Sequence, residues 1–365
     1  KVVVTFPTHA EGPQFGFNTD SDAPTVLFTT PSDTTKPTAE GAFPAGAVLT
    51  LTTTGSNKLL QTSAHAFTIA DLRNPSSVVA ATTLSVTTKD ADNKVCDGPT
   101  TVATPQIAVG TIVGDKTFVG GTKTPGFKST HVLKFTTAGQ IPQAAGKILL
   151  LLPASFAENP AEKFTMETPV VTFAAANAAA ASASFATRTL TVTMSDAAAG
   201  SVSVPQGTAV VLSVTNVRTP SSVVATVSTS SITTQDSAGK IIDTVATGVT
   251  TDAIEAGLIV GDKTFVGDTM TPGFKGTHVL KFTTAGQVPE WSGKILLLLP
   301  ASFAENPTEL YTMETPVATF TAPSANTAVA ITAFDNTRTL TITMDGTKVQ
   351  TAVCTATAGT FTLSF

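Results

Sequence analysis

The sequence is poor in charge and in the side chains that carry catalysis or covalent cross-links. Charged residues make up 13% of 365 residues, the net charge is −5, and there are four histidines, two cysteines, one tryptophan and one tyrosine. Lysine and arginine form no run or stripe, so the electrostatic footprint of a nucleic-acid-binding protein is missing. Two cysteines are too few for a disulfide framework. We expect no nucleic-acid partner.

Sequence motifs of common enzyme classes are also missing. The chain has no G-x-S-x-G, H-E-x-x-H or P-loop motif. Gly114-Asp115-Lys116 and Gly261-Asp262-Lys263 hold a glycine and a lysine without the rest of a P-loop, and we expect turns between domains there. His131 and His278 share one repeat position, where a surface or strand-end histidine is expected. We therefore predict no enzyme, no catalytic residue and no bound cofactor.

Hydrophobic residues reach 42%, but no apolar run is long. The longest, Ile148–Leu152 and its copy Ile295–Leu299, is far too short to cross a bilayer and is expected to form a strand buried on both faces. Threonine, serine and alanine fill the place of charged residues, as in many secreted β proteins. The sequence starts at Lys1 with no visible signal peptide, which favours a processed or excised chain. We expect an extracellular or cell-surface protein without a membrane span, with Thr29–Thr38 open to O-glycosylation.

An internal repeat is the main signal. Residues 113–169 match residues 260–316 at a constant offset of 147, with 47 of 57 residues identical, and residues 187–194 match 337–344 at an offset of 150. The shared text includes VGDKTFVG, THVLKFTTAGQ and GKILLLLPASFAENP. Such a long period indicates repeated domains.

A more distant copy precedes these two. Residues 73–80 match 218–225, residues 87–97 match 233–243, and Thr25–Thr30 is similar to Val132–Thr137. Apolar residues alternate with threonine between turn signals, which is typical of antiparallel strands. We predict an all-β chain of tandem antiparallel immunoglobulin-like β-sandwich domains, with boundaries at 1–110, 111–257 and 258–365.

One acidic loop has the residue types of a calcium site. Asp90, Asp92, Asn93 and Asp97 could present oxygen ligands to Ca²⁺. The alternative is a hairpin turn, since Asp and Asn favour turn positions. The second copy keeps only Asp236 before Gly239, which favours the turn and leaves calcium as the minor hypothesis.

The third repeat matches the second only as far as residue 365, short of the strands expected after Arg218. An unfinished sandwich exposes unpaired edges, so we expect a neighbouring copy to complete it by strand addition, giving a head-to-tail homopolymer. Cys96 and Cys354 could bridge such neighbours or stay as free thiols, and the alternative is a fragment of a longer repeat protein. The residues expected at this contact are Lys1, Val2, Val3, Val4, Thr5 and Phe6 of the donor arm, and Phe361, Leu363 and Phe365 of the acceptor.

Three groups of residues resemble a known kind of protein: Ile141-Pro142 with Gly146–Pro153, Arg218–Ser222, and Asp236 with Gly239-Lys240. They are similar to the tandem immunoglobulin-like repeats of secreted cell-surface and filament proteins of algae and other protists. The resemblance implies a structural subunit of an extracellular filament, appendage, coat or matrix, whose partners are copies of itself, other matrix proteins or glycans. The alternative is a cell-surface adhesin or glycan-binding module.

Overall fold

The three repeats, called here the first, second and third units (residues 1–110, 111–257 and 258–365), are all built from strands. The structure is a computed structural model. It describes residues 1–7, 16–17, 24–30, 37–43, 47–55, 57–60, 62–70, 72–75, 78–158, 160–174, 180–195, 203–286, 288, 293–320, 330–344 and 360–364.

Twenty-seven strands lie in these described ranges. The first unit contains β1 (Val2–Thr5), β2 (Gly16–Phe17), β3 (Val26–Thr30), β4 (Thr38–Ala42), β5 (Val48–Thr54), β6 (Ala66–Ile69), β7 (Leu72–Arg73), β8 (Thr82–Lys89) and β9 (Val95–Thr104). The next group, from Gly110 through the second unit, is β10 (Gly110–Thr111), β11 (Val113–Gly120), β12 (Lys128–Thr136), β13 (Lys147–Leu151), β14 (Thr165–Met166), β15 (Val171–Phe173), β16 (Ala180–Ala186), β17 (Thr189–Ser195), β18 (Ala209–Arg218), β19 (Ser230–Gln235) and β20 (Ile241–Thr251). The third unit contains β21 (Val260–Gly267), β22 (His278–Thr283), β23 (Lys294–Leu298), β24 (Thr319–Phe320), β25 (Ala330–Phe334), β26 (Thr339–Met344) and β27 (Thr360–Ser364).

The predicted fold class, all-β with tandem β-sandwich units, is confirmed. Nearly all strand pairs are antiparallel, and the described part of the chain contains no helix. A helix able to span a bilayer is therefore not found among these residues.

The second unit is a two-layered sandwich around one core. One layer contains β18, β12 and β11, together with the short strands β14 and β15, which both pair with β18. The other layer contains β19, β13, β17 and β16. β20 joins the layers, because it pairs antiparallel with β19 and, at its end, parallel with β11 through Thr250 and Thr251. Leu133 and Leu212 of the first layer and Ile148 and Leu190 of the second are fully buried in the shared core.

Alternation of side chains along each strand explains this core. In β17, Leu190, Val192 and Met194 are buried while the threonines between them are half-exposed, as the period of two requires. β13 behaves the same way: Leu150 is buried and Leu151 is 39% exposed. The expectation that this apolar run is buried on both faces is therefore wrong, because only one face of β13 meets the opposite layer.

The third unit repeats most of this topology. The order β21-β22-β27-β24 reproduces β11-β12-β18-β15, and β23-β26-β25 reproduces β13-β17-β16. The register is also kept, since Ile295 lies opposite Ile342 as Ile148 lies opposite Val192. Its core contains Leu280, Phe282, Leu340 and Ile342 among other residues.

The first unit contains counterparts of β13 and of the two strands that pair with it. β1 lies between β5 and β8, with Val2 opposite Leu51 and Thr88, just as Ile148 in β13 lies opposite Val192 and Thr234. The heptapeptide KVVVTFP at residues 1–7 is therefore the counterpart of KILLLLP at 147–153. Lys1–Phe6 is not a projecting arm, because Val2, Val4 and Phe6 are buried in the core of the first unit.

Two further sequence interpretations are corrected by the strand pairings. Phe28 in β3 lies opposite Phe67 as Phe173 in β15 lies opposite Leu212, so Thr25–Thr30 corresponds to the region of β15 and not to Val132–Thr137. Gly114-Asp115-Lys116 lies inside β11, where the register against β12 shifts between Val113 and Thr117. The shift and the positive φ of Gly114 identify a β-bulge and not a turn between domains.

Candidate functional site

The free edge of β23 in the third unit is the clearest candidate site. In the second unit, β13 is paired on both sides, by β17 and by β19. Its counterpart β23 pairs with β26, and the described residues contain no strand on its other side. A strand edge with unpaired backbone N–H and C=O groups is a template for another strand.

Several apolar side chains of the third unit are more exposed than their counterparts in the second unit. Ile259 is 56% exposed, whereas its counterpart Ile112 is 2% exposed. Leu297 is half-buried where Leu150 is fully buried, and Leu296 and Leu298 are each 64% exposed. In the second unit this side of the sandwich is covered by β19 and β20, and these two strands have no copy within residues 258–365. We call residues 294–298 the β23 edge.

The β19–β20 hairpin supplies polar contacts as well as apolar cover. The Asp243 carboxylate accepts hydrogen bonds from the backbone N–H groups of Gly139 (2.8 Å) and Ala138 (3.3 Å) and from the Thr234 hydroxyl (3.2 Å). Burial raises the pKa of the Asp243 carboxyl, and the three hydrogen bonds partly oppose that rise. Asp252, just after β20, accepts from the backbone N–H of Gly120 at 2.9 Å.

The first unit also has an exposed strand edge, which belongs to β9, the counterpart of β20. β9 is the outer strand of its sheet and pairs only with β8 in the described part of the chain. Nearly every residue of β9 is exposed, with Val95 at 57% and Val102 at 44%. Its counterpart β20 also pairs with β11. The free edge of β9 in the first unit is thus the counterpart of the β20 edge that pairs with β11. The free edge of β21 in the third unit is the counterpart of the β11 edge in that same pairing.

A loop of the second unit lies against the third unit. A methyl group added at Gly257 would lie 2.6 Å from the Thr124 side chain, and one added at Gly286 would collide with the Pro125 carbonyl. At the matching position of the second unit, a methyl group added at Gly110 would collide with Asp243. The loop therefore occupies part of the place that the hairpin's aspartate takes in the second unit.

His131 is buried in an aromatic cluster inside β12, so the expected surface or strand-end position is wrong for this residue, whereas His278 is the first residue of β22. Its ring stacks on Phe118 with centroids 5.1 Å apart and contacts Phe164 edge-on. Burial lowers the pKa of His131 to about 4, against smaller opposing effects of Asp252 and a backbone hydrogen bond at Ser129. In the third unit Tyr311 takes the position of Phe164 beside His278. These rings fill a core, and the retention of Phe118 and His131 in both repeats was the sequence signal for it.

The acidic loop proposed for calcium forms the turn between β8 and β9. Asp90 accepts a hydrogen bond from the N–H of Lys94, and Asp97 accepts one from the Thr88 hydroxyl at 2.7 Å. Asn93 has a positive φ and accepts from the Lys1 ammonium group. Asp92 is exposed in the same turn. Within the described residues no group of three His, Cys, Asp or Glu side chains could hold a metal, and a calcium site stays a prediction.

The remaining assembly residues lie near the end of the sequence. Phe361 and Leu363 belong to β27, which pairs with β22, while Phe365 lies outside the described residues. Cys96 is an exposed free thiol in β9, and Cys354 lies outside the described residues. Trp291, the sole tryptophan, also lies outside them, and the ring of Tyr311 packs against Phe265 and Phe303. The domain boundaries, the intermolecular disulfide and the assembly role stay predictions.

Comparisons with known proteins find little at the level of sequence. No protein-family model matches the chain, and no curated protein matches it. A solved structure, the type II cohesin dyad from the adaptor ScaA scaffoldin of Acetivibrio cellulolyticus, matches with 11% identity and a TM-score of 0.20. The match covers 69% of this chain and 84% of that one.

Proposed function

We propose that the chain is a non-enzymatic structural subunit of an extracellular filament, surface appendage, coat or matrix, and that its β-sandwich units associate through strand edges. The observation that carries this proposal is the exposure of apolar residues in and just before β21, above all Ile259 at 56% against 2% for Ile112. Burying such a side chain in a packed interface contributes about 1.5–3 kcal/mol. A protein that leaves several of these side chains in water is stabilised by association.

The exposed strand edges of the first and third units support a head-to-tail arrangement. β9 in the first unit and β21 in the third present the two kinds of edge that meet in the second unit as β20 and β11. A contact between β9 of one copy and β21 of the next would reproduce that parallel pairing. Such a contact uses different surfaces on the two partners and so extends into a fibre. Glycans and other matrix proteins are further partners in this proposal.

The low charge and the many hydroxyl groups also support a place outside the cell. Threonine and serine on strand faces give a polar surface without charge, and charged residues are 13% of the sequence. O-linked sugars on the threonines would extend that polar surface. The proposed absence of catalysis is supported by the lack of common enzyme motifs in the sequence. The ring of His131, whose Nδ1 lies 3.5 Å from the Ser129 hydroxyl, packs between phenylalanine rings.

Negative-stain imaging of the purified chain over a range of concentrations tests the proposal. We expect uniform fibres whose number and length grow with concentration, and a matching rise in sedimentation coefficient. Particles of one-chain size at every concentration would overturn it. In that case, specific retention on a glycan array would favour the alternative role of an adhesin or glycan-binding module.

A further inference from the structure

We infer that the β23 edge binds a β-hairpin of the β19–β20 type. This inference names the partner for the third unit and rests on the proposed function. The partner is defined by its chemistry: a two-stranded hairpin that carries the apolar and acidic pattern of residues 230–252. β23 would take this hairpin as an added strand pair.

The free edge of β23 has the same sequence as the edge that β19 occupies in the second unit. Residues 294–298 read KILLL, identical to residues 147–151, and the strand on their other side keeps its register. In the second unit, β19 pairs with residues 147–151 over all five positions. Identical backbone edges with identical side chains have the same hydrogen-bonding and apolar requirements, so the seated hairpin shows what the free edge accepts.

Individual side chains of the hairpin also fit the β23 edge. Ile232 lies opposite Leu150 and is fully buried, so in the third unit it would cover Leu297. The hairpin strand would also shield Ile295, which is half-buried where Ile148 is fully buried. A strand with a polar residue at the position of Ile232 would leave these side chains poorly covered, which makes this position the apolar anchor.

The hairpin carries two carboxylates that have no copy within residues 258–365. Asp252 accepts from the N–H of Gly120, and Asp243 accepts from the N–H groups of Ala138 and Gly139. The third unit keeps the corresponding backbone positions at Gly267, Ala285 and Gly286 but has no later acidic copies within residues 258–365. An acidic residue at each of these two hairpin positions is therefore part of the recognition.

One contact must change for the hairpin to seat fully. Thr124 and Pro125 lie against Gly257 and Gly286, at the place where Asp243 lies in the second unit. The loop that contains them must move before the hairpin's aspartate can reach Gly286. Hairpin binding is therefore coupled to the contact between the second and third units.

Register-specific cross-linking tests the inference. A peptide of residues 226–256 is mixed with the full chain in a Cys96→Ser, Cys354→Ser background. The second unit pairs Leu149 with Thr233 and Leu151 with Ser231, which predicts that Leu296 pairs with Thr233 and Leu298 with Ser231. Directly opposite residues in adjacent strands have Cα atoms about 4.5–5.5 Å apart, within the range of a disulfide.

The matched pairs are Leu296→Cys with Thr233→Cys peptide, and Leu298→Cys with Ser231→Cys peptide. We expect both to form disulfides at least tenfold more efficiently than the swapped pairs, which are out of register. An Ile232→Asp peptide should lose binding at least tenfold, and this control leaves the chain unchanged. Equal cross-linking of matched and swapped pairs, or no binding of the parent peptide, would overturn the inference.

The outcomes separate this inference from the proposed function. Register-specific cross-links with no fibres at any concentration would support the hairpin site and remove the structural role. Fibres that form normally while the peptide fails to cross-link would support the structural role and remove the hairpin site. Hydrogen exchange of residues 294–298 with and without peptide gives a second measurement, and protection is expected only with the parent sequence.

Discussion

The Asp243 carboxylate accepts a hydrogen bond from the backbone N–H of Gly139 at 2.8 Å and so ties the β19–β20 hairpin to the loop after β12. The same carboxylate accepts from the Thr234 hydroxyl, and the Asp243 N–H donates back to that hydroxyl oxygen at 3.0 Å. The first unit repeats the strand pair, with Asp97 accepting from Thr88. In the first unit this contact is exposed, and in the second it is buried.

Asp243→Ala is expected to destabilise the second unit by about 2–3 kcal/mol, because three donors lose a buried acceptor. The measurement is hydrogen exchange of residues 241–251 together with urea unfolding. Asp97→Ala removes the exposed counterpart and should cost less than about 1 kcal/mol. Equal losses from the two substitutions would show that burial of this aspartate adds nothing.

The raised pKa of Asp243 predicts a defined pH dependence. The folded state holds the proton more tightly than the unfolded state, so stability falls as pH rises from the ordinary value of 3.8 towards the higher folded value, and is then constant. Asp243→Asn should remove this decline, whereas Asp97→Asn retains Asp243 and should preserve it. Stability of the second unit measured between pH 3 and pH 8 in the three proteins checks the sign.

His131 has the opposite effect on stability. Its folded pKa of about 4 lies below the ordinary value of 6.5, so the unfolded chain binds the proton first. Stability is fully present above about pH 6.5 and falls by roughly 3 kcal/mol as pH drops to about 4. His131→Phe should flatten this part of the profile. The same substitution at the half-buried His278 keeps His131 and is the matched control.

Neighbouring glycines offer a matched test of the aromatic cluster. A methyl group added at Gly120 would lie 2.6 Å from Nε2 of His131, whereas one added at Gly121 would meet nothing within 4 Å. Gly120→Ala is therefore expected to cost about 1–3 kcal/mol through overpacking, and Gly121→Ala should change stability little. Urea unfolding of both variants decides, and a neutral Gly120→Ala would show that the His131 ring is free to move away.

Assembly should depend on β21, the strand that the proposed head-to-tail contact uses. Val266 is 52% exposed in β21, so Val266→Lys places a charge on an exposed edge strand, which is how natural sheets prevent edge-to-edge contact, and it should reduce fibre formation at least tenfold. Val317→Lys is the control, because Val317 is 70% exposed in the same unit but lies outside β21. Sedimentation and imaging of both variants give the result. Equal inhibition by the two substitutions would point to net charge and not to the edge.

The exposed thiol of Cys96 predicts redox-dependent cross-linking. Under mild oxidation we expect disulfide-linked chains on a non-reducing gel, which Cys96→Ser abolishes and reductant reverses. If Cys96→Ser leaves the cross-linked species unchanged, the proposed intermolecular bridge through this residue is wrong.

Much of the fold could be predicted from local sequence patterns. The alternation in Thr189–Ser195 is a property of the backbone period, and it correctly predicts which side chains of β17 are buried. The copy at 339–344 behaves the same way. The repeat partner of Lys1–Phe6 could not be predicted, because this segment is too short and too divergent for the match to be evident without strand pairing. The continuous run at Ile148–Leu152 misled for a related reason, because apolar content does not report whether a second layer covers the outer face.

The sequence by itself determined the repeat, the all-β character and the shortage of catalytic groups, because these depend on local spacing and composition. Only the tertiary structure decided which edges are paired. Pairing depends on long-range register, and it shows that the same KILLL sequence is enclosed between two strands in the second unit and open on one side in the third. It also decided that His131 is buried, since that follows from the packing of Phe118 and Phe164 around it. Identical side chains thus meet different surroundings, and the surroundings identify the site.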